Sequence, residues 1–313
     1  MKYNKLISGA PPVSEIGLGA WQLGESSDWK SPSEKEAIEL VKKSLELGVN
    51  FFDTAPNYGF GTSEERLGKA LKGVERDQIV INTKFGHTAT GELNYASDSI
   101  RESLEGSLRR LQTDYVDSVI LHSPPFEMLD GNKNDHYEVL EQLKDEGKIK
   151  AYGASLDTYE EMKLLMETTE SEVIEAFFNI FHQDAAKAFD EAQKRGVGII
   201  AKIPLDSGWL SGKYSEESTF GDIRDRWSRE DIKTRAMLVQ KLKVILGDER
   251  NLVHTALSFC LAYDAVSTVI PGSKNISQLK SNLESLKHPV SKELVEKLEA
   301  FYRDEVKELN LPW

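Results

Sequence analysis

The strongest constraint on this 313-residue chain is an alternation that runs its whole length. A short apolar run is followed by a turn, a helical stretch and another apolar run. Apolar runs occur at residues 16–21, 49–53, 78–84, 115–122, 149–155, 173–178, 197–203 and 266–270. The run at Val49, Phe51 and Phe52 reads as a strand buried on both faces. Between the runs, residues 33–47 open with Ser33 at a cap position and carry Ile38, Val41 and Leu45 at helical spacing before stopping at Gly48. Residues 96–111 place Ile100, Leu104, Leu108 and Leu111 on one face. Further helices are expected at 63–71, 137–146, 158–167 and 185–195, and around and after the last strand.

Strands that alternate with helices run parallel. Eight repeats in about 300 residues suit an α/β fold of the (β/α)8 TIM barrel type. The expectation is a single barrel domain over 1–313, with residues 1–15, which hold Pro11 and Pro12, as a short N-terminal hairpin or arm. A doubly wound open sheet is the competing fold. Its phosphate fingerprint is absent, because neither Gly17-Leu18-Gly19 nor Gly59-Phe60-Gly61 has the third glycine that the pattern needs.

Each of three successive runs ends on a reactive side chain. The run at 49–53 stops at Asp53 and is followed across Ala55-Pro56-Asn57 by Tyr58; the run at 78–84 stops at Lys84, and that at 115–122 at His122. In a parallel α/β protein those ends face one edge of the sheet, where chemistry is placed. Singly, such residues are usually caps, packing or solvated charges. Their convergence is the signal.

Composition narrows the function. Asp and Glu number 52 against 39 Lys and Arg, a formal charge of −13, which disfavours nucleic acid as a partner but allows a local pocket for a phosphate. The one cysteine, Cys260, can form neither an internal disulfide nor a zinc cluster, and residues 1–5 lack the apolar core of a signal peptide. A cytoplasmic protein without membrane attachment is expected. Residues 252–270, the most apolar long window, contain His254 and Asp264 and read as helix then strand. No metal is expected, since His87, His122, His136, His182, His254 and His288 show no ligand spacing.

The stretch Phe52-Asp53-Thr54-Ala55-Pro56-Asn57-Tyr58-Gly59, with Glu64-Glu65-Arg66-Leu67-Gly68, Thr83-Lys84 and Leu121-His122, resembles the signature set of the aldo-keto reductases. The resemblance covers about residues 3–282 in the family's order. It implies a barrel that binds NADPH (NADP+) and reduces an aldehyde or ketone to an alcohol, or runs in reverse. It carries the family tetrad onto Asp53, Tyr58, Lys84 and His122. A phenol near its ordinary pKa of about 10 is a reluctant acid, so Lys84 is expected to lower the pKa of Tyr58, with Asp53 holding the ammonium and His122 orienting the substrate oxygen.

The loops after strands seven and eight, Pro204-Leu205-Asp206-Ser207-Gly208-Trp209-Leu210-Ser211-Gly212-Lys213 and Pro271-Gly272-Ser273-Lys274, combine small residues with a lysine, as phosphate loops do. By resemblance the cofactor contacts are Gly19, Ala20, Asp53, Ser155, Glu175, Ile203, Pro204, Leu205, Ser207, Gly208, Leu210, Gly212, Lys213, Gly272, Ser273, Lys274, Gln278 and Asn282. Ser273 and Lys274 favour NADPH over NADH. Three positions depart from the family: Leu156 follows Ser155 in place of Asn, Glu175 replaces Gln, and Gln278 replaces a frequent Arg. Ile203 also stands where an aromatic is usual. Trp21, with Tyr58 and His122, is the expected substrate wall, and Trp209, Trp227 and the loop around Phe126 are weaker candidates.

Two other functions compete with carbonyl reduction. One is a cofactor-binding redox sensor or auxiliary subunit with little turnover. The other is a lyase that uses Lys84 as a Schiff-base nucleophile. A small-molecule carbonyl or alcohol is the expected partner; substrate identity and oligomeric state stay open.

Overall fold

The computed structural model describes residues 1–26, 31–247 and 250–312. Its centre is an eight-stranded parallel sheet: β1 (Leu18–Gly19), β2 (Phe51–Asp53), β3 (Val80–Phe85), β4 (Val116–His122), β5 (Ile149–Leu156), β6 (Val173–Phe177), β7 (Gly198–Lys202) and β8 (Val266–Val269). Spatial order follows sequence order. The outer strands meet as well: Gly17 N–H donates to the Val269 carbonyl at 2.9 Å, Val269 N–H donates to Glu15 O at 2.9 Å, and Gly19 bridges to Gly272. The sheet thus closes on itself as the (β/α)8 barrel that alternation requires.

The helices are α1 (Glu34–Glu46), α2 (Thr62–Leu71), α3 (Ile100–Leu111), α4 (His136–Asp145), α5 (Tyr159–Thr168), α6 (Phe189–Arg195), α7 (Arg229–Leu246), α8 (Leu252–Cys260), α9 (Ile276–Glu284) and α10 (Lys292–Phe301). Ser33 starts α1 with a reciprocal cap: its hydroxyl accepts from Glu36 N–H, and the Glu36 carboxylate accepts from Ser33 N–H at 2.8 Å. Three elements are shorter than the sequence suggests. The first run is a strand only at Leu18–Gly19 and then turns as a 3-10 helix over Ala20–Leu23. The cause is α2, whose Ser63 hydroxyl and Arg66 guanidinium donate to the carbonyls of Ala20 and Leu23 and draw them off the ladder. Helix α3 begins at Ile100 after a 3-10 turn at Ser97–Ser99, and α6 at Phe189 after one at Asp184–Ala188.

Alternation along each strand sorts two kinds of interior. Phe52, Ile81, Val119, Leu121, Ile174 and Ile199 face outward into the core beneath the helices. Phe51, Val80, Ile120, Ala151, Val173 and Ile200 face the barrel axis, where Leu6, Ile7 and Val13 from the N-terminal segment join them. That segment is a hairpin, Tyr3–Asn4 paired antiparallel with Val13–Ser14. It lies so close to the start of β7 that a Cβ on Gly198 would stand 2.4 Å from the Leu6 carbonyl oxygen. The hairpin therefore plugs the end where the strands begin. The other end is left for the side chains that end them.

Candidate active site

Two residues further along the axial face of the strands, the chemistry changes. Asp53 follows Phe51, Glu175 follows Val173, Lys202 follows Ile200 and His122 follows Ile120, while Lys84 lies four beyond Val80. The register sets Asp53 beside Asn82, and Ser155 between His122 and Glu175. Asn82 Nδ2 donates to Asp53 Oδ2 at 2.7 Å, and Ser118 Oγ donates to Asn82 Oδ1. A polar layer thus closes the apolar axis from above.

Lys84 is the hub of that layer. Its Nζ lies 2.7 Å from both carboxylate oxygens of Asp53, 3.1 Å from the Thr54 carbonyl oxygen and 3.2 Å from Glu175 Oε2. It also stands 5.1 Å from the centroid of the Tyr58 ring. Burial works against the ammonium, but Asp53 and then Glu175 outweigh it and hold Lys84 above the ordinary lysine pKa. The Asp53 carboxyl is pushed up to about 8, by burial first and the charge of Glu175 second, against the pull of Lys84. Glu175 is buried too, yet Lys84 and Lys202 hold it below the usual carboxylate range.

Tyr58 corrects the sequence-based expectation. Its phenol is raised above the ordinary tyrosine pKa, because desolvation exceeds the lowering effect of Lys84, and Asp53 and Glu175 add to the rise. Two carboxyls flank the one ammonium, and their fields offset part of its lowering effect on the phenol. The His122 ring meets that of Tyr58 edge-on, with centroids 5.8 Å apart, and packs 4.4 Å from His87. Burial, then repulsion from Lys84, from His87 when that ring is protonated, and from Lys202, hold His122 well below the ordinary histidine value, so it is neutral at physiological pH.

A cavity of about 570 Å³ opens over this layer and runs on between the loops after β7 and β8. Asp53, Tyr58, His122 and Trp21 line it, with Lys84 directly behind. Gly19, Ser155, Glu175 and Ile203 form more of its wall, as do Pro204, Leu205, Ser207, Gly208 and Lys213 from the β7 loop. Gly272, Lys274, Gln278 and Asn282 line it from the β8 loop and α9. Four expected contacts lie off the wall. Ala20 and Leu210 are buried in the outer core, Gly212 lies against Leu252, and Ser273 is buried beneath the loop, where its hydroxyl accepts from Asn282 Nδ2 at 3.0 Å. Trp209 and Trp227 are core residues too, packed on each other with centroids 6.1 Å apart, and Phe126 is exposed outside the wall.

The β7 loop is held in an unusual shape. Ile203, Asp206 and Ser207 have φ of 54°, 44° and 50°, and Gly208 has 99°. Left-handed backbone at a β-branched residue is costly and persists only where the surroundings impose it. Here Asn179 Nδ2 grips the Ile203 carbonyl at 2.9 Å, and the buried Asp206 carboxylate is tied to Arg235 at 3.3 Å and His182 at 3.4 Å. The loop is thereby pinned along the cleft.

Several lining residues escaped the sequence reading. Lys202 is 7 % exposed, bonded to Ser155 Oγ at 2.9 Å and paired with Asp157 at 2.7 Å. It stands one residue before the end of the run at 197–203, where Ile203 hides the break that Lys84 makes plain. Arg224 comes from a stretch without periodicity and reaches the cleft beside Lys213 and Lys274. Gln22 Oε1, Asn57 Oδ1 and His122 Nδ1 line the cleft or its edge, buried and without a hydrogen-bond partner in the protein. Among the described residues no three metal-ligating side chains cluster, and no helix is long and apolar enough to cross a membrane.

The molecule is thus a (β/α)8 enzyme with an elongated, nucleotide-sized cleft across its C-terminal mouth. The chain belongs to the aldo/keto reductase family, whose model matches residues 15–303, and is accordingly an NAD(P)H-dependent oxidoreductase acting on carbonyl compounds. It is 30 % identical to the aldo-keto reductase YhdN of Bacillus subtilis (strain 168), over 90 % of this chain and 87 % of the relative. It is 28 % identical to the NADH-specific methylglyoxal reductase of Escherichia coli (strain K12), over 92 % and 96 %. The holo form of aldo-keto reductase AKR11C1 from Bacillus halodurans superposes with a TM-score of 0.80 at 30 % identity, covering 96 % of each chain.

Proposed function

We propose that the protein reduces an aldehyde or ketone to the alcohol with NADPH and that Tyr58 gives the proton. The observation that carries this reading is a phenol on the cleft wall beside a neutral imidazole, backed by a buried ammonium 5.1 Å from its ring centroid. When bound, NADPH supplies the hydride.

The side chains of the protein do the rest. Reduction leaves negative charge on the substrate oxygen, and an alkoxide is far more basic than a phenolate, so even a weakly acidic phenol delivers its proton. Burial keeps Tyr58 protonated throughout the neutral range, so the proton to be donated is in place. Lys84 acts as phenolate character develops, which stabilises the transition state more than the ground state. A neutral His122 orients the carbonyl oxygen by hydrogen bonding without competing as an acid.

The cleft fits the cofactor on three counts. Buried acceptors lack protein partners, the β7 loop brings Ser207 and Gly208 to the cleft wall in a left-handed backbone that lets a ligand approach closely, and Lys213, Arg224 and Lys274 crowd together along it. The Lys274 ammonium is lowered by burial, then by Arg224 and Lys213, a repulsion that a bound phosphate relieves. This crowding favours NADPH, even though one relative is NADH-specific by name. Lys213, Arg224 and Lys274 would hold phosphate, and Gln278 and Asn282 the adenosine.

Tyr58→Phe tests the reading. Aldehyde reduction is expected to fall by about 10²- to 10⁴-fold, with NADPH affinity, read from protein fluorescence, nearly unchanged because the hydroxyl acts in the transition state. Turnover that survives in this variant removes Tyr58 from its role.

A further inference from the structure

We infer that Glu175 is a positioning residue that shares the Lys84 ammonium with Asp53 and keeps one proton on that carboxyl pair, so that Tyr58 donates well only while the pair is protonated. The inference rests on the reading of Tyr58 as proton donor and extends it to a group outside the tetrad.

Geometry and charge carry the argument. Asp53 and Glu175 come from β2 and β6, yet both lie within ion-pairing distance of the same Nζ, at 2.7 and 3.2 Å. Their side chains are 3 % and 4 % exposed and that of Lys84 is not exposed at all, so water screens the three only weakly. Two ionised carboxyls on one ammonium leave a net negative charge in a desolvated layer, which is strongly unfavourable.

The surrounding groups cancel only part of that charge. Lys202, the other cation nearby, is committed to Asp157 at 2.7 Å and Ser155 at 2.9 Å, and Ser155 Oγ donates to Glu175 Oε1 at 3.2 Å. His122 and its neighbour His87 are uncharged, and Tyr58 is a neutral phenol. The remaining route to neutrality is a proton held by the pair. The direction of each shift agrees: Asp53 is raised by burial and by Glu175, while Lys84 and Lys202 hold Glu175 low.

The consequence falls on Tyr58. With the pair protonated, the inner cluster is neutral and Lys84 can stabilise a nascent phenolate. When the proton leaves for solvent, one uncompensated negative charge appears beside the phenol, and it becomes a poorer acid.

The experiment pairs an infrared measurement with a pH-rate profile, using the whole chain and the isosteric substitution Glu175→Gln. In the cofactor-free wild type, a protonated-carboxyl band is expected at pH 6 that fades as pH rises through about 8, the region to which Asp53 is shifted. The band should be missing from E175Q and, as a second check on folding, from Asp53→Asn. In aldehyde reduction with NADPH, wild type should retain about a tenth of its plateau rate one pH unit above the midpoint of an alkaline limb, whereas the E175Q profile, scaled to that variant's own plateau whatever its height, should lack the limb. A wild-type spectrum without the band, a band that persists in E175Q, or an alkaline limb identical in the two proteins overturns the inference. The infrared arm does not involve Tyr58. Retained turnover in Y58F alongside the expected band would therefore locate the failure in the proton-donor reading.

Discussion

The two ends of the barrel axis are built from the same strands and could hardly differ more. At the plugged end Phe51, Val80, Val173 and Ile200 meet Leu6, Ile7 and Val13 in an apolar cluster. One or two steps along the same faces stand Asp53, Lys84, Glu175 and Lys202, all nearly inaccessible to solvent. Burial is equal at the two ends, and its consequence is opposite. Covering the apolar cluster stabilises the fold at about 25 cal/mol per Å² of surface removed from water. Covering the charged layer is unfavourable except as far as the partners compensate one another, and the uncompensated remainder appears as displaced proton affinities at Asp53, Tyr58 and His122.

Substitutions at each end separate these contributions. Ile7→Ala removes a 2 % exposed side chain from the plug and is expected to cost about 2–5 kcal/mol in chemical denaturation. Its kcat/KM, measured where the variant is folded, should stay that of the wild type. A loss of activity without a loss of stability would mean that the plug acts on the site, and the division between the two ends would fail. At the cleft, Lys274→Ala is expected to weaken NADPH by about tenfold, the scale of one charge-assisted contact, and to leave NADH unaffected and stability unchanged. Equal loss for both nucleotides would show that Lys274 does not meet the extra phosphate.

The difference between the ends also explains what the sequence could and could not disclose. Asp53, Lys84 and His122 stood out because each closes an apolar run, and the barrel followed from eight such runs. Lys202 obeys the same rule, but Ile203 and Pro204 prolong its run and conceal the break. Glu175 lies within a run, flanked by Ile174 and Ala176, and only the register that sets it beside Ser155 reveals its approach to Lys84. The rise in the Tyr58 pKa was illegible for the same reason: a lysine near a phenol is a local inference, whereas a second carboxyl on that lysine is a fact of closure. Arg224 owes its position to the aromatic cluster of Trp209, Tyr214, Phe220 and Trp227, in which the two tryptophans that looked like pocket residues pack as core.

His122 offers the finest test of the comparison, because its effect on stability has a definite sign. The imidazole is held well below its ordinary value of 6.5 by burial, then by Lys84, His87 and Lys202. In the unfolded chain it takes up a proton near 6.5, while in the folded protein it stays neutral to much lower pH. Its contribution is therefore complete above the unfolded pKa and is lost as pH falls from there through the folded one. Over that window the group removes up to about 1.4 kcal/mol of stability per pH unit. Asp53, shifted upward, acts with the opposite sign, since its contribution is complete below the ordinary value of 3.8 and is lost as pH rises through about 8. The two slopes oppose each other in the wild type, so total stability alone is uninformative. The difference between wild type and His122→Gln isolates the imidazole: denaturant midpoints should show the variant gaining on the wild type steadily as pH falls below about 6.5. Parallel curves would mean that His122 accepts its proton inside the folded site, and that the charged layer is more open to water than its burial implies.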